Sequence, residues 1–225
     1  MVSLKDKVLF ITGSNTGIGK ESAYKFAAEG CKIVITYYKD KKKAEDAAKK
    51  CLELGSPEVL VSHLDVTDNK SIKKAVKEVL SKFGHVSVLI NNAGVLVQKH
   101  FSEQTFKEIE LQSRTNFEGL VKVTSVCLPH VRDMIINIAS ATGKKGYPDV
   151  ATYSGTKFGV RGFTKSLALD IDIPVYAVNP NKTATPMTNF VGRPPSKVAE
   201  IILNLAKGKY DKKSGDDVDV WDYIE

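Results

Sequence analysis

Buried apolar runs alternating with helix-period stretches predict an α/β chain: a doubly wound parallel sheet of about seven strands with helices on both faces. Two observations carry this. Residues 8–11, Val-Leu-Phe-Ile, form a continuous apolar run rather than an alternating one, as a strand buried on both faces does. That run stops at Thr12-Gly13, and from Lys20 onward Ala23, Phe26 and Ala27 recur at helical spacing, so a glycine-rich turn joins a buried strand to a helix start. In such a turn Gly13, Gly17 and Gly19 let the backbone bend sharply and approach a phosphate, and the helix N-terminus adds partial positive charge. The segment reads as the phosphate turn of a Rossmann-type βαβ unit.

The remaining elements follow in order. Residues 33–37, Ile-Val-Ile-Thr-Tyr, form the second strand. Its end lies about twenty residues past the glycine turn, where an acidic side chain would hold the ribose 2′-hydroxyl of NAD. Tyr37 stands there instead, followed by Tyr38 and Lys39, so no carboxylate repels a 2′-phosphate and Lys39 attracts one; NADP is favoured over NAD. Lys41, Lys42 and Lys43 open a helix with Ala44, Ala47, Ala48 and Cys51 as its buried stripe. Residues 59–64 form the third strand, closed by Asp65-Val66-Thr67-Asp68, and residues 68–71 offer helix-capping chemistry. Ile72, Ala75, Val76, Val79 and Leu80 mark a helix that ends near Gly84.

Residues 86–90 form the fourth strand, ending in Asn91-Asn92-Ala93-Gly94. Ligands collect at the carboxyl ends of parallel strands, which makes Asp65 and Asn91 candidate contacts; the alternative is that they only tie turns together. A long helix is expected over residues 103–130, broken near Gly119, with Phe106, Ile109, Phe117, Leu120, Val121 and Val123 apolar and Asn116 polar inside it. Residues 134–139 form the fifth strand, closed by Ser140-Ala141-Thr142-Gly143. Arg132-Asp133 belongs to a short helix-to-strand connection. Tyr153 and Lys157 begin a helix and, four residues apart, share one of its faces. Residues 175–178 form the sixth strand, followed by Asn179-Pro180 and an irregular segment to Pro195; residues 196–206 form a helix and 218–221 a seventh strand.

Composition bounds the function. At 225 residues the chain is expected to be one domain, residues 1–225, with 42% hydrophobic and 26% charged residues, as in ordinary globular chains. A net charge of +7, spread over helix surfaces rather than set in an arginine-aromatic stripe, suits a phosphorylated cofactor or an acidic carrier and argues against nucleic acid. Cys31, Cys51 and Cys127 are too scattered for a disulfide framework and read as buried thiols of a reducing compartment. The four histidines show no ligand spacing, so no metal is assigned. No apolar run approaches the ~20 residues of a membrane span, and no signal peptide is evident; a cytoplasmic location is expected.

Thr12-Gly13-x-x-x-Gly17-Ile18-Gly19, Asn91-Asn92-Ala93-Gly94, Ser140 and Tyr153-Ser-Gly-Thr-Lys157 stand in order, and together they resemble the short-chain dehydrogenase/reductase family in its single-domain branch. The resemblance spans about residues 4–220 and is closest to reductases of 3-oxoacyl thioesters. It implies hydride transfer between NADP or NAD and a small-molecule carbonyl or secondary alcohol, with Tyr153 as acid/base. Lys157 would lower the phenol's pKa and hold the nicotinamide ribose, and Ser140 would hydrogen-bond the substrate oxygen. Asn116 would hold a water linking Lys157 to solvent. Ser14, Asn15 and Ile18 would line the phosphate turn with the three glycines, Asp65, Val66 and Asn91 would hold the adenosine half beside Tyr37, Tyr38 and Lys39, and Ala93, Gly94, Pro180, Thr183 and Thr185 would complete the nicotinamide side.

This sequence departs from the family pattern at Asn181, where glycine is usual; asparagine tolerates left-handed backbone better than most residues. Only eight residues separate Met187 from Ser196, fewer than in many relatives. The resemblance also implies a homodimer or homotetramer, with the Phe101–Phe106 region or the stripe over residues 120–126 as candidate contacts. Hydroxysteroid, polyol and sugar substrates stay open beside a carrier-bound acyl chain. A nucleotide-binding sensor without turnover is the alternative from another class; an intact Ser140, Tyr153 and Lys157 set argues against it.

Overall fold

Along β1 (Val8–Ile11) successive side chains point to opposite faces, and this alternation divides the core in two. The computed structural model describes residues 2–224. Leu9 and Ile11 pack with Ile33 and Ile35 of β2 (Lys32–Tyr37) under α1 (Gly17–Ala28), while Val8 and Phe10 join Val34 on the other face. The same division runs through α2 (Lys41–Glu53), β3 (Val59–His63), α3 (Asn69–Phe83) and β4 (Val86–Asn91), and then α4 (Phe106–Ser113), α5 (Gly119–Cys127), β5 (Val131–Ile138), α6 (Ala151–Asp170), β6 (Val175–Asn179), α7 (Pro195–Ala206) and β7 (Asp217–Asp219). The first face is covered by α1, α2 and α7, the second by α3, α5 and α6. All strand pairs are parallel, in the order β3-β2-β1-β4-β5-β6-β7. The order reverses direction between β1 and β4, the crevice where such sheets bind ligands.

Most expected elements are present, and local chemistry explains their ends. The α2 stripe of Ala44, Ala47, Ala48 and Cys51 is buried. Asp68 caps α3 by accepting from the N–H groups of Lys70 and Ser71, and Gly84, at φ 76°, stops it. The three thiols are buried and free, and burial pushes each up to about 12. Among the described residues no helix is long and apolar enough to cross a membrane.

Three expectations need correction. The stretch over 103–130 is not one helix: Thr105 and Glu108 form a reciprocal capping box that starts α4, and residues Arg114–Glu118 widen into a π turn before α5. A Cβ at Gly119 would stand 2.7 Å from the Val66 carbonyl, so glycine there serves close packing at the head of α5. Phe106 is 84% exposed and Phe117 also reaches the surface, so neither belongs to the core stripe. Second, β5 begins at Val131, which places Arg132 and Asp133 in the strand, with Asp133 paired to Lys7 at 2.8 Å. Third, β7 is Asp217–Asp219, and Trp221 lies in the single 3-10 turn that follows.

Candidate active site

The glycine turn at the end of β1 is braced from behind. Gly13 and Gly17 take positive φ, 64° and 56°, which side chains rarely adopt. The Gly13 N–H donates to Thr36 Oγ1 at 2.9 Å, and Asn92 Nδ2 donates to the carbonyls of Thr12 and Gly13, each at 2.9 Å. Thr12 Oγ1 accepts from the N–H groups of Asn92 and Ala93, locking the turn to the loop after β4. Thr16 stands at the N-cap of α1 with no side-chain cap bond. That leaves the N-terminus of α1 open to an anion, the chemistry a dinucleotide pyrophosphate presents.

Ser14 turns its side chain inward. It is fully buried; its hydroxyl donates to the Ile11 carbonyl at 3.0 Å and accepts from the Thr36 N–H at 2.8 Å. The side chain closes the turn from inside, which corrects the phosphate-contact role expected of it. Asn15 and Ile18 are half-buried beside the turn, and Asn15 Nδ2 reaches the Asp40 carbonyl at 3.3 Å.

A Cβ at Gly19 would stand 2.5 Å from Asn92 Nδ2 and 2.6 Å from the Gly13 carbonyl oxygen. Alanine in a helix gains about 0.5–1 kcal/mol over glycine, whereas overpacking a rigid contact costs about 1–3 kcal/mol. The overlap wins. Gly19→Ala is expected to lower the urea midpoint and to lose nucleotide binding; an unchanged midpoint with intact binding would contradict this geometry.

At the end of β2 the Tyr37 ring meets His63 edge-on, with centroids 5.5 Å apart, and Tyr38 lies tilted to the same histidine at 6.4 Å. Lys39 Nζ is 5.2 Å from the Tyr38 ring centre. One carboxylate is close by: Asp40 caps α2, accepting from the Lys43 N–H and pairing with Lys43 Nζ, each at 3.0 Å. Those bonds hold its carboxyl below the usual range. Asp65 Oδ1 is taken by the N–H and hydroxyl of Thr67, at 2.8 and 2.7 Å, and Val66 is buried beside it.

Asn91 is displaced from the role expected of it. Strand alternation turns its side chain into the core under α5, where Nδ2 donates to Thr124 Oγ1 and to Asn137 Oδ1, each at 2.8 Å. Asn137 in turn reaches Thr164 of α6 at 2.9 Å. This buried polar ladder stiffens β4 and β5 against the helices that cover them. The neighbour Asn92 points the other way, to the back of the glycine turn, where Nδ2 meets the Thr12 and Gly13 carbonyls.

At the end of β5 three side chains converge. Ser140 opens the single 3-10 turn Ala141–Gly143, its Oγ accepting from the Thr142 N–H at 3.1 Å. Tyr153 and Lys157 project from α6, both buried, with Lys157 Nζ 5.6 Å from the Tyr153 ring centre. Lys157 Nζ donates to the Ile138 carbonyl at 2.7 Å. Burial pushes the Tyr153 phenol up to about 12, partly offset by the Ser140 hydroxyl, which favours the ionised form. Burial also pushes Lys157 down to about 8. The phenol is therefore raised in the chain alone, not lowered as the motif implied, because burial disfavours the phenolate more than the bond with Ser140 favours it.

Asn116 sits in the π turn, fully buried. Its Oδ1 accepts from the Val95 N–H at 2.7 Å, and Nδ2 donates to the Val95 carbonyl at 2.8 Å and to Thr156 Oγ1 at 3.3 Å. The side-chain amide is committed to the loop after Gly94 and to α6, the helix that carries Tyr153 and Lys157.

The segment after Pro180 folds on itself. Asn181 has no positive φ, so glycine is not required there; the positive-φ residues of this segment are Asn189, Phe190 and Gly192. Thr183 is buried, its hydroxyl donating to the Asn181 carbonyl at 2.8 Å and its backbone bridging to Arg193. Thr185 reaches the glycine turn: a Cβ at Gly17 would lie 3.1 Å from its Cγ2. The Pro180 carbonyl accepts from the Ala141 N–H at 2.9 Å, joining this segment to the Ser140 turn.

Thr12, Thr16, Thr36, Asn92 and Thr156 brace or flank the candidate site without a role assigned from the sequence. Thr12, Asn92 and Thr156 stand inside the motifs quoted above, alternation beyond Ile90 signals the direction of Asn92, and the N-cap position signals Thr16; nothing local signals Thr36.

Comparison with known proteins matches residues 7–195 to the family model described as short chain dehydrogenase. The chain is 33% identical over 193 residues to the 3-ketodihydrosphingosine reductase of Bacteroides thetaiotaomicron, covering 83% of this chain and 67% of that protein. It is 32% identical over 218 residues to the 3-oxoacyl-(acyl-carrier-protein) reductase FabG of Thermotoga maritima, covering 93% and 86%. It spans 56% of the length of the Arabidopsis thaliana 11-beta-hydroxysteroid dehydrogenase-like proteins it also matches. The crystal structure of a dehydrogenase/reductase from Sinorhizobium meliloti superposes with a TM-score of 0.89 at 25% identity, covering 96% of this chain and 94% of that one.

Proposed function

Because this chain belongs to the short-chain dehydrogenase family, we propose that it is an NAD(P)-dependent oxidoreductase that interconverts a carbonyl and a secondary alcohol. The observation that carries this reading is the convergence of Ser140, Tyr153 and Lys157 at the carboxyl end of β5, across the crevice from an uncapped helix N-terminus. When bound there, the nicotinamide supplies or takes the hydride. The chain handles the proton. Tyr153, raised to about 12, is protonated at neutral pH and donates to the carbonyl oxygen as the alcohol forms; in the reverse direction it takes that proton back. Ser140 holds the substrate oxygen. Lys157, an ammonium at neutral pH, stabilises the phenolate left after donation and holds the nicotinamide ribose. Asn116 is a positioning residue that fixes the Val95 loop.

Gly13, Asn15, Gly17, Ile18 and Gly19 hold the pyrophosphate, and Asp65 and Val66 the adenine side. Tyr37, Tyr38 and Lys39 meet the adenosine ribose, and Ala93, Gly94, Pro180 and Thr185 the nicotinamide side. The carboxylate that follows Lys39 in the chain, on Asp40, is already engaged by Lys43, which supports NADP. In nicotinamide-fluorescence titrations NADPH is expected to bind at least about tenfold tighter than NADH, the worth of one charge-assisted phosphate contact. Lys39→Ala should erase much of that preference. Equal or tighter binding of NADH would overturn the NADP assignment.

For substrate, the reading is a 3-oxoacyl thioester, supported by the reductase named among the relatives and by a net charge of +7 that suits an acidic carrier. Exposed Phe106, Leu111, Phe117 and Phe158 on α4, the π turn and α6 support a homo-oligomer. Sedimentation at micromolar concentration should show a dimer or larger; a stable monomer would exclude it.

A further inference from the structure

Two carboxylates on the edge strand β7 hold together the three segments that form the candidate active site. Asp217 grips Arg161 with a two-pronged bond: Arg161 Nε donates to Oδ1 at 2.8 Å and Nη2 to Oδ2 at 2.6 Å, with both side chains only 15% exposed. The third guanidinium nitrogen, Nη1, donates to the Gly143 carbonyl, in the turn that Ser140 opens. Arg161 stands one helical turn beyond Lys157 on α6, so this one side chain ties the Ser140 turn to the helix bearing Tyr153 and Lys157. Gly143 allows the close fit: a Cβ there would lie 2.7 Å from the Lys157 carbonyl oxygen.

The third segment joins through Asn179, the residue before Pro180. Its Nδ2 donates to Asp217 Oδ1 at 3.1 Å and to Asp219 Oδ1 at 2.8 Å. Asp219 also pairs with Lys144, which follows the Ser140 turn and whose Nζ lies 5.6 Å from the ring of Trp221. Although burial opposes it, the bonds from Arg161 and Asn179 hold the Asp217 carboxyl well below the usual range.

We infer that Asp217 is a positioning residue for the reaction: through Arg161 it fixes the Ser140 turn against the helix that carries Tyr153 and Lys157. The inference rests on the roles proposed above for those three residues. A buried ion pair is weak evidence for stability, since desolvation offsets most of its attraction; fixed geometry is what this arrangement supplies. Lysine cannot reproduce it, because an ammonium lacks the planar fork that holds Asp217 while a further nitrogen reaches Gly143.

The test uses Asp217→Asn, Arg161→Met and Arg161→Lys in the full chain, read by steady-state kinetics, nucleotide titration, thermal melts and amide hydrogen exchange. Asp217→Asn and Arg161→Met are expected to lower kcat by about tenfold to hundredfold, the effect of a small misplacement of reacting groups, with the nucleotide Kd within about threefold. Exchange over residues 140–147 should quicken by about tenfold or more while β1 to β3 keep their protection. Arg161→Lys, which keeps the charge and folds even if the others do not, should recover part of kcat at a near-native melting temperature. A merely structural role would lower the melting temperature and leave kcat of the folded variants unchanged; that result overturns the inference. Should the wild type turn over no carbonyl or alcohol, the reading of the active site fails separately, and exchange over 140–147 decides alone: faster exchange in the variants supports the inference, unchanged exchange overturns it.

Discussion

Tyr153→Phe is expected to lower turnover by about a hundredfold to ten-thousandfold, the usual worth of a positioned acid/base, and to leave nucleotide binding nearly intact. The change removes one oxygen from a buried ring and keeps its shape, so the crevice and glycine turn stay as they are. With the phenol raised to about 12, its proton is in place throughout the neutral range, and reduction should be flat with pH until Lys157 begins to lose its charge towards about 8. Oxidation needs the phenolate and should rise as pH increases. A folded stability signature accompanies this. The folded chain holds this proton more tightly than the unfolded one, so the contribution of Tyr153 is present below pH 10.0 and is lost as pH rises towards about 12. The phenylalanine variant should lack that alkaline loss. Steady-state rates and melts across pH check both; residual turnover at the wild-type level would place the proton donor elsewhere.

Lys157→Met is expected to abolish most activity and yet stabilise the nucleotide-free protein at pH 7. The buried ammonium is held near 8 against 10.5 for a free lysine. Between those values the unfolded chain binds more protons than the folded one, so stability rises with pH through that window. Below it the folded protein carries a desolvated charge at a penalty of about 3 kcal/mol. Losing the bond to the Ile138 carbonyl costs about 1 kcal/mol in return. The variant should therefore be the more stable by about 1–2 kcal/mol at neutral pH. Its advantage should shrink from pH 8 upward and reverse by pH 10.5, as the wild-type amine loses its charge. Urea melts at three pH values read this directly. A variant less stable than wild type at pH 7 would show that the ammonium is better solvated than its burial implies. Turnover should fall by about a hundredfold or more, as when a preorganised charge is removed from a site.

How legible the molecule is from its residues depends on how local the cause is. β1 spans Val8–Ile11 as expected because four apolar residues end abruptly at glycine. The α2 stripe and the Asp68 cap are equally local. The π turn at Arg114–Glu118 is not, since it arises from Asn116 closing on Val95 and Thr156, partners in other segments. Ser14 and Asn91 sit in the expected motifs but face inward, and only alternation counted from Ile11 and Ile90 separates Asn91 from Asn92. Arg161 and Asp217, far apart along the chain, look like surface charges until the sheet edge brings them together. Ser140, Tyr153 and Lys157 were readable as a motif, but the direction of the phenol's shift was not, because it is set by burial that no spacing encodes.

The most direct measurement of the central claim is nucleotide oxidation by the wild-type protein, followed by nicotinamide absorbance over a panel of carbonyl compounds that includes 3-oxoacyl thioesters. The account predicts that at least one carbonyl drives oxidation and that Tyr153→Phe, binding the same nucleotide, does not support it. A protein that binds nucleotide tightly and oxidises it with no carbonyl, or a Tyr153→Phe variant as active as wild type, would contradict the account.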